Sequence, residues 1–150
     1  LIADSSNNRV RALSPAGGLS TWAGSGGRAS IDGPGNSASF YYPFALAQLA
    51  DGSIAVAESD DGVIRRIATD AAHTVSTWAG ALGRSGWSDG TLSDASMSEL
   101  AGLATRPNGN LVLLDSATYR VRLISGDQVT TLAGGTTSRP SRNGSGSTPR

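Results

Sequence analysis

The chain has 150 residues, enough for one ordinary domain with a sizeable core, at 38% hydrophobic and 16% charged residues. Its formal net charge is zero and all twelve basic residues are arginine, which argues against a basic footprint for nucleic acid and against a polybasic membrane patch. It has no cysteine, so disulfide frameworks, thiolate zinc sites and cysteine nucleophiles are excluded, and no apolar run approaches the roughly eighteen residues of a membrane span.

"LIADSSNNRVRAL" at the start reads as two strands joined by a polar turn, and a further strand ends in "STWAG" (20–24). A linker of about twenty residues follows (25–43). Next come "FALAQL", an Asp-Gly hairpin turn, "SIAVAE", the arginine-alternating "VIRRI" and "TVSTWAG" (44–80). A second long linker (81–100) contains 93–101, the one weak helical candidate. "GLATR", an Asn-Gly turn, "NLVLLD", "RVRLI" and "QVTTLAG" complete the pattern by 134. Residues 135–150 are rich in Ser, Thr, Pro, Gly and Arg and read as a linker or disordered end.

These elements repeat. "STWAG" recurs at 76–80 and as "TTLAG" at 130–134, spacings of 56 and 54 residues. "DSSNNRVRAL" (4–13), "ESDDGVIRRI" (58–67) and "DSATYRVRLI" (115–124) align without a gap. Asp4, Glu58 and Asp115 fall in one column, and Arg11, Arg65 and Arg122 in another. The segments 32–54 and 89–111 match at a constant offset of 57. The period-two alternation of the third strands predicts one buried and one wet face, with Val10, Leu13, Ile64, Ile67, Val121 and Ile124 in the core. Four antiparallel strands per unit at this period predict an all-β fold of β-propeller blades, which bury their faces only by stacking on one another. The chain then divides into a partial blade lacking its first strand (1–24), linker plus full blade (25–80), linker plus full blade (81–134) and the tail (135–150).

The stretch "LIADSSNNRVRAL…LSTWAG", with "DG…A.F..P" before the next unit, resembles the NHL repeat in its long-linker form, over about 1–134. The second unit departs from the pattern, with Glu58 for Asp and "SDDG" for the Asn-rich turn. The resemblance implies a ring that usually closes with six blades. About three blades are present, so further blades are expected from a longer polypeptide, with assembly from copies as the alternative.

In a four-stranded meander, the first-to-second and third-to-fourth turns lie on one side of the ring. The second-to-third turns and the long linkers lie on the other. Long loops on a rigid scaffold are the usual place for function, which singles out Arg28, Tyr41, Tyr42, Arg84 and Trp87 as contact residues, since aromatics and arginine dominate binding surfaces. Phe40 and Met97 share a column and read as caps of the core between blades. The Asp-Gly pairs at 32–33 and 89–90 read as turns needing positive φ, and "ESDD" (58–61) as a solvated turn rather than a calcium loop. Repetition marks Asp4, Arg11, Glu58, Arg65, Asp115 and Arg122 as structural. Asp4 and Asp115 are expected to take turn amides and to pair with Arg9 and Arg120.

Some six-bladed relatives of this architecture are lactonases or lyases that hold a metal near the axis. The single histidine, His73, reads as an exposed turn residue and cannot make a histidine-rich centre. No nucleophile elbow, phosphate loop or paired-carboxylate cleft is found. The reading is therefore a non-enzymatic scaffold for protein contact, with no cofactor, metal, nucleic acid or membrane insertion. A propeller hydrolase or lyase with ligands outside this segment is the alternative, and an RNA-binding propeller a more distant one. A glycosylation sequon at Asn143 accords with an extracellular or cell-surface setting.

Overall fold

The computed structural model describes residues 1–135. They form three antiparallel sheets. The first holds β1 (Ile2–Asp4), β2 (Arg9–Leu13) and β3 (Leu19–Ala23). The second holds β4 (Pro43–Gln48), β5 (Ile54–Glu58), β6 (Val63–Ile67) and β7 (Val75–Ala79) in sequence order. The third runs β8-β12-β11-β10-β9, where β8 (Gly90–Thr91) comes from the linker. The others are β9 (Leu100–Thr105), β10 (Leu111–Asp115), β11 (Arg120–Ser125) and β12 (Gln128–Gly134). These are blades one, two and three of a β-propeller segment.

Local chemistry sets the connections. A 3-10 turn, Ser5–Asn7, joins β1 to β2, with Asn8 in the left-handed region at φ 53° returning its N–H to the Ser5 carbonyl. Asn is among the few side chains that take this conformation cheaply. The Asp51-Gly52 and Asn108-Gly109 turns close the β4–β5 and β9–β10 hairpins with both glycines at φ 85°. The 93–101 stretch forms no helix. A single turn on Thr91, whose carbonyl accepts from Asp94 and Ala95, gives way to extended chain and β9.

Two apolar clusters fill the junctions between blades. Val10 and Ala23 of blade one meet Phe40, Val56, Ile67 and Val75 of the linker and blade two. On the opposite face of blade two, Ala55, Ala57, Ile64 and Ala79 meet Met97, Leu100, Leu111, Leu113, Ile124 and Val129. Alternation along β5 sends Val56 one way and the two alanines the other. Each buried Val, Leu or Ile contributes roughly 1.5–3 kcal/mol. Phe40 and Met97 are fully buried, as their shared column implied. Leu13 is not core: it is 57% exposed, against 1% for Ile67 at the same repeat position, because among the described residues no layer packs over that face of blade one. Val121 is only half-buried.

The linkers run along the blade they precede. Gly33 bridges Val75 of the outermost strand β7, and β8 pairs with β12 through Val129↔Gly90. Each linker then passes inward to the first strand of its blade.

Candidate functional site

The third-strand arginines are not on a wet face. Arg65 and Arg122 are fully buried, because the linker lies over the side of the sheet that they share with Ile67 and Ile124. Arg65 Nη2 donates to Asp32 Oδ1 at 2.6 Å, and its Nη1 donates to the Ser39 carbonyl at 3.1 Å and to Glu58 Oε1 at 2.8 Å. Arg122 repeats the set with Asp89 Oδ1 at 2.9 Å and the Ser96 carbonyl at 3.1 Å. Thr77 and Thr131 hydroxyls donate to the same two aspartates at 3.1 and 2.9 Å. The Asp-Gly pairs thus supply more than a turn. Their carboxylates clip linker to blade, and a charge-assisted fork fixes the geometry.

The carboxylate column works inside this clip. Glu58 is fully buried, so "ESDD" is not a solvated turn as a whole. Glu58 Oε1 accepts the Tyr41 amide at 3.1 Å, and Asp115 Oδ2 accepts the Ser98 amide at the same distance. Asp115 faces Arg122 at 4.0 Å and takes the Thr118 amide at 3.2 Å. The expected pairings with Arg9 and Arg120 do not form. Asp4 accepts from Asn7, Arg9 donates to the Ser25 carbonyl and Arg120 to the Thr118 carbonyl.

Burial pushes the Glu58 carboxyl above its ordinary value, against the Arg65 charge and the hydrogen bonds from Ser30 and Tyr41. The Ser30 hydroxyl contacts Glu58 and, at 2.8 Å, Asp61. A hydroxyl has one hydrogen, so Ser30 donates to one of the two carboxyls at a time. For Asp32, partial burial raises the pKa, but the Thr77 amide and the Arg65 guanidinium outweigh it and bring the carboxyl below its ordinary value.

The predicted contact residues fall into separate groups. Arg28 and Tyr41 meet on the first linker: Nη2 donates to the phenol oxygen at 2.8 Å and the guanidinium lies 4.7 Å from the ring centre. Their repeat counterparts, Ser85 and Ser98, also touch, hydroxyl to hydroxyl at 2.7 Å. Tyr42 is exposed at φ 52°, its amide donating to Asn8 Oδ1. Trp87, on the second linker, is 58% exposed with the Arg120 guanidinium 5.2 Å from its ring centre. Arg84 stands apart, donating to the Asp94 carbonyl. Arg120 was not among the contact residues read from sequence, because its column suggested a carboxylate partner.

Concavities lie elsewhere. Clefts of about 400 and 280 Å³ repeat at the two blade junctions on the short-turn side. Trp22, Gly52, Ile54 and Ile67 line the first, and Trp78, Gly109, Leu111 and Ile124 the second. A third space of about 530 Å³ at the rim holds Arg9, Asn36 and His73. His73 is half-buried, at φ 48°, stacked on Trp22 with ring centres 4.0 Å apart. The signal for the clefts was the two "STWAG" tryptophans, which the sequence shows only as part of repeated strand ends. Among the described residues no group of three or more His, Asp or Glu side chains is placed to hold a metal ion, and no helix is long and apolar enough to cross a membrane.

No family model matches the sequence, and no curated protein does. Solved structures do match in fold. A Bacteroides thetaiotaomicron protein of unknown function superposes with a TM-score of 0.75 at 21% identity, covering 81% of this chain and 30% of that one. An auxiliary nutrient binding protein from Bacteroides ovatus gives 0.65 at 17% identity, covering 85% and 33%. A virginiamycin B lyase from Staphylococcus aureus gives 0.53 at 11%, covering 85% and 35%. The chain spans about a third of the length of these structures. They and the three sheets define a β-propeller fold.

Proposed function

We propose that the chain is part of an NHL-like β-propeller that acts without catalysis, as a rigid scaffold binding a protein partner, in an extracellular or cell-surface setting. The NHL reading rests on the repeated strand-turn-strand and "TTLAG" pattern. The scaffold reading rests on a division among polar side chains. The repeated Arg65, Arg122, Glu58, Asp115, Asp32 and Asp89 are engaged in holding linkers to blades. The unrepeated Trp87 is left exposed on its linker, its ring steered by Arg120, and that observation carries the proposal. Rigid aromatic surfaces next to guanidinium groups are what binding hot spots are made of. The similar auxiliary nutrient binding protein is described as a binder, which agrees with a non-catalytic role.

Affinity capture with the full-length protein identifies the partner. A Tyr41→Ala, Tyr42→Ala, Trp87→Ala variant, matched to wild type in thermal unfolding, is then expected to bind it at least about tenfold more weakly. An unchanged affinity moves the contact surface off the linker side. A second reading, a propeller lyase or hydrolase, has the fold likeness to virginiamycin B lyase behind it. A stoichiometric divalent ion in the purified full-length protein would replace the scaffold proposal with that one.

A further inference from the structure

The cleft between blades two and three is walled by two complete blades, β4–β7 and β9–β12, and its lining residues fall between Leu49 and Gly126. Its volume, about 280 Å³, is at the small end of the roughly 300–1,000 Å³ usual for ligand pockets. That is room for one small ring.

Its polar wall is a fixed pair. Asp51 and Arg66 form an ion pair with side chains 52% and 39% exposed. Ser53 braces both: its amide donates to Asp51 Oδ1 at 3.0 Å, and its hydroxyl accepts from Arg66 Nε at 2.9 Å. The Ser53 hydroxyl and amide, together with Arg66, hold the Asp51 carboxyl below its ordinary range, so it is ionised at neutral pH. Among the described residues the carboxylate accepts three hydrogen bonds, of the roughly four it can take, and the guanidinium donates only through Nε and Nη2. A spare acceptor therefore stands next to the spare donors of Nη1, and the pair has no net charge.

The apolar wall is Trp78, which packs against the second apolar cluster and lines the cleft with Leu111 and Ile124. This combination occurs once. In blade three the positions of Asp51, Arg66 and Trp78 hold Asn108, Leu123 and Leu132, and in blade one Ala12 stands at the Arg66 position. The columns that hold linkers to blades repeat, whereas these residues together do not.

We infer that this cleft binds one neutral pyranose ring, free or at the end of a glycan. A pyranose offers an apolar C–H face to an indole and hydroxyls that each donate and accept. Neighbouring hydroxyls satisfy the spare carboxylate and guanidinium positions together. An anion gains little, because Asp51 already neutralises Arg66. A wholly apolar ligand would strip water from the pair and return no hydrogen bond.

The test titrates the nitrogen-labelled full-length protein with the methyl pyranosides of glucose, galactose, mannose and N-acetylglucosamine. At least one is expected to bind saturably with a Kd of about 1–10 mM, the range for so small a ligand. It should shift the Trp78 indole N–H signal, assigned by its loss in Trp78→Leu. Trp78→Leu, Arg66→Leu and Asp51→Asn each install the blade-three residue. In protein shown by circular dichroism to be folded, each should weaken binding about tenfold. Asp51→Asn recreates the Asn-Gly turn of blade three, so it keeps the test decisive if the other two misfold. Asp60→Asn, on an exposed second-to-third turn, should change nothing. A trisaccharide ending in the preferred ring binds equally if the site takes the free sugar, and more tightly if it takes a chain end. No saturable shift with any pyranoside at tens of millimolar overturns the inference. So does binding that the folded variants leave unchanged, or a preference for glucuronic acid or inorganic phosphate, which would make the cleft an anion site.

Discussion

The Glu58 carboxylate and the Arg65 guanidinium meet at 2.8 Å with neither side chain open to solvent. Both charges have left water, so each depends on the other and on the Ser39 carbonyl and Asp32 for compensation. Removing one partner strands the other. Arg65→Ala is expected to cost about 3–5 kcal/mol in urea denaturation, while the paired change Arg65→Met with Glu58→Met costs much less. Equal losses in the two variants would show that the linker clip, not the buried pair, carries the stability.

The same pair gives a pH signature. Burial sets the folded Glu58 pKa above its ordinary value of 4.5, so its contribution to stability is fully present below 4.5 and is lost as pH rises through the folded value. Glu58→Gln removes that titration. The stability of wild type relative to Glu58→Gln should therefore decline from pH 4.5 upward, measured by denaturation at a series of pH values. A difference that grows with pH would reverse the assignment.

Asp32 runs the other way. Its folded pKa lies below the ordinary 3.8, so its contribution is present above 3.8 and disappears as pH falls through the folded value. Its side chain is half exposed, and solvent screens the pair on that side. Asp32→Asn should cost about 1 kcal/mol at neutral pH, less in high salt, and make the acid limb of the stability curve shallower.

Two glycines separate backbone strain from crowding. Gly17 has φ 85° with open space where a Cβ would stand, whereas Gly62 has φ 61° and a Cβ there would overlap the Met97 carbonyl. Gly17→Ala should cost about 1 kcal/mol, the ordinary penalty for a left-handed conformation. Gly62→Ala should cost clearly more and loosen the second linker, seen as faster amide exchange at Met97 and Ser98.

The three-blade organisation was legible because the sequence repeats at constant offsets, and strand boundaries follow from Asp-Gly and Asn-Gly turns. The burial of Arg65 and Arg122 was not. Period-two alternation puts Arg65 on the same side as Ile67, and Arg122 on the same side as Ile124, but does not say that a linker from 33 residues upstream covers that side. The same gap hid the role of Asp32 and Asp89, whose glycine neighbours made a turn the simpler reading. Trp87 stood out because it lacks a repeated partner. Its stacking on Arg120 was masked by a neighbouring carboxylate that prefers turn amides and Arg122. The sequon at Asn143 and the tail reading lie outside the described residues.

The short linker pairings at Gly33 and β8 have a consequence for solubility. An outermost strand is a template on which foreign strands can polymerise. In blades two and three a stretch of the chain's own backbone already occupies part of that template, at Val75 and at Gln128–Val129. At β3 no such cover lies among the described residues, and Leu19 is open to solvent. In a preparation of this 150-residue segment, strand mispairing is expected to start at that rim, and Leu19→Lys should suppress it.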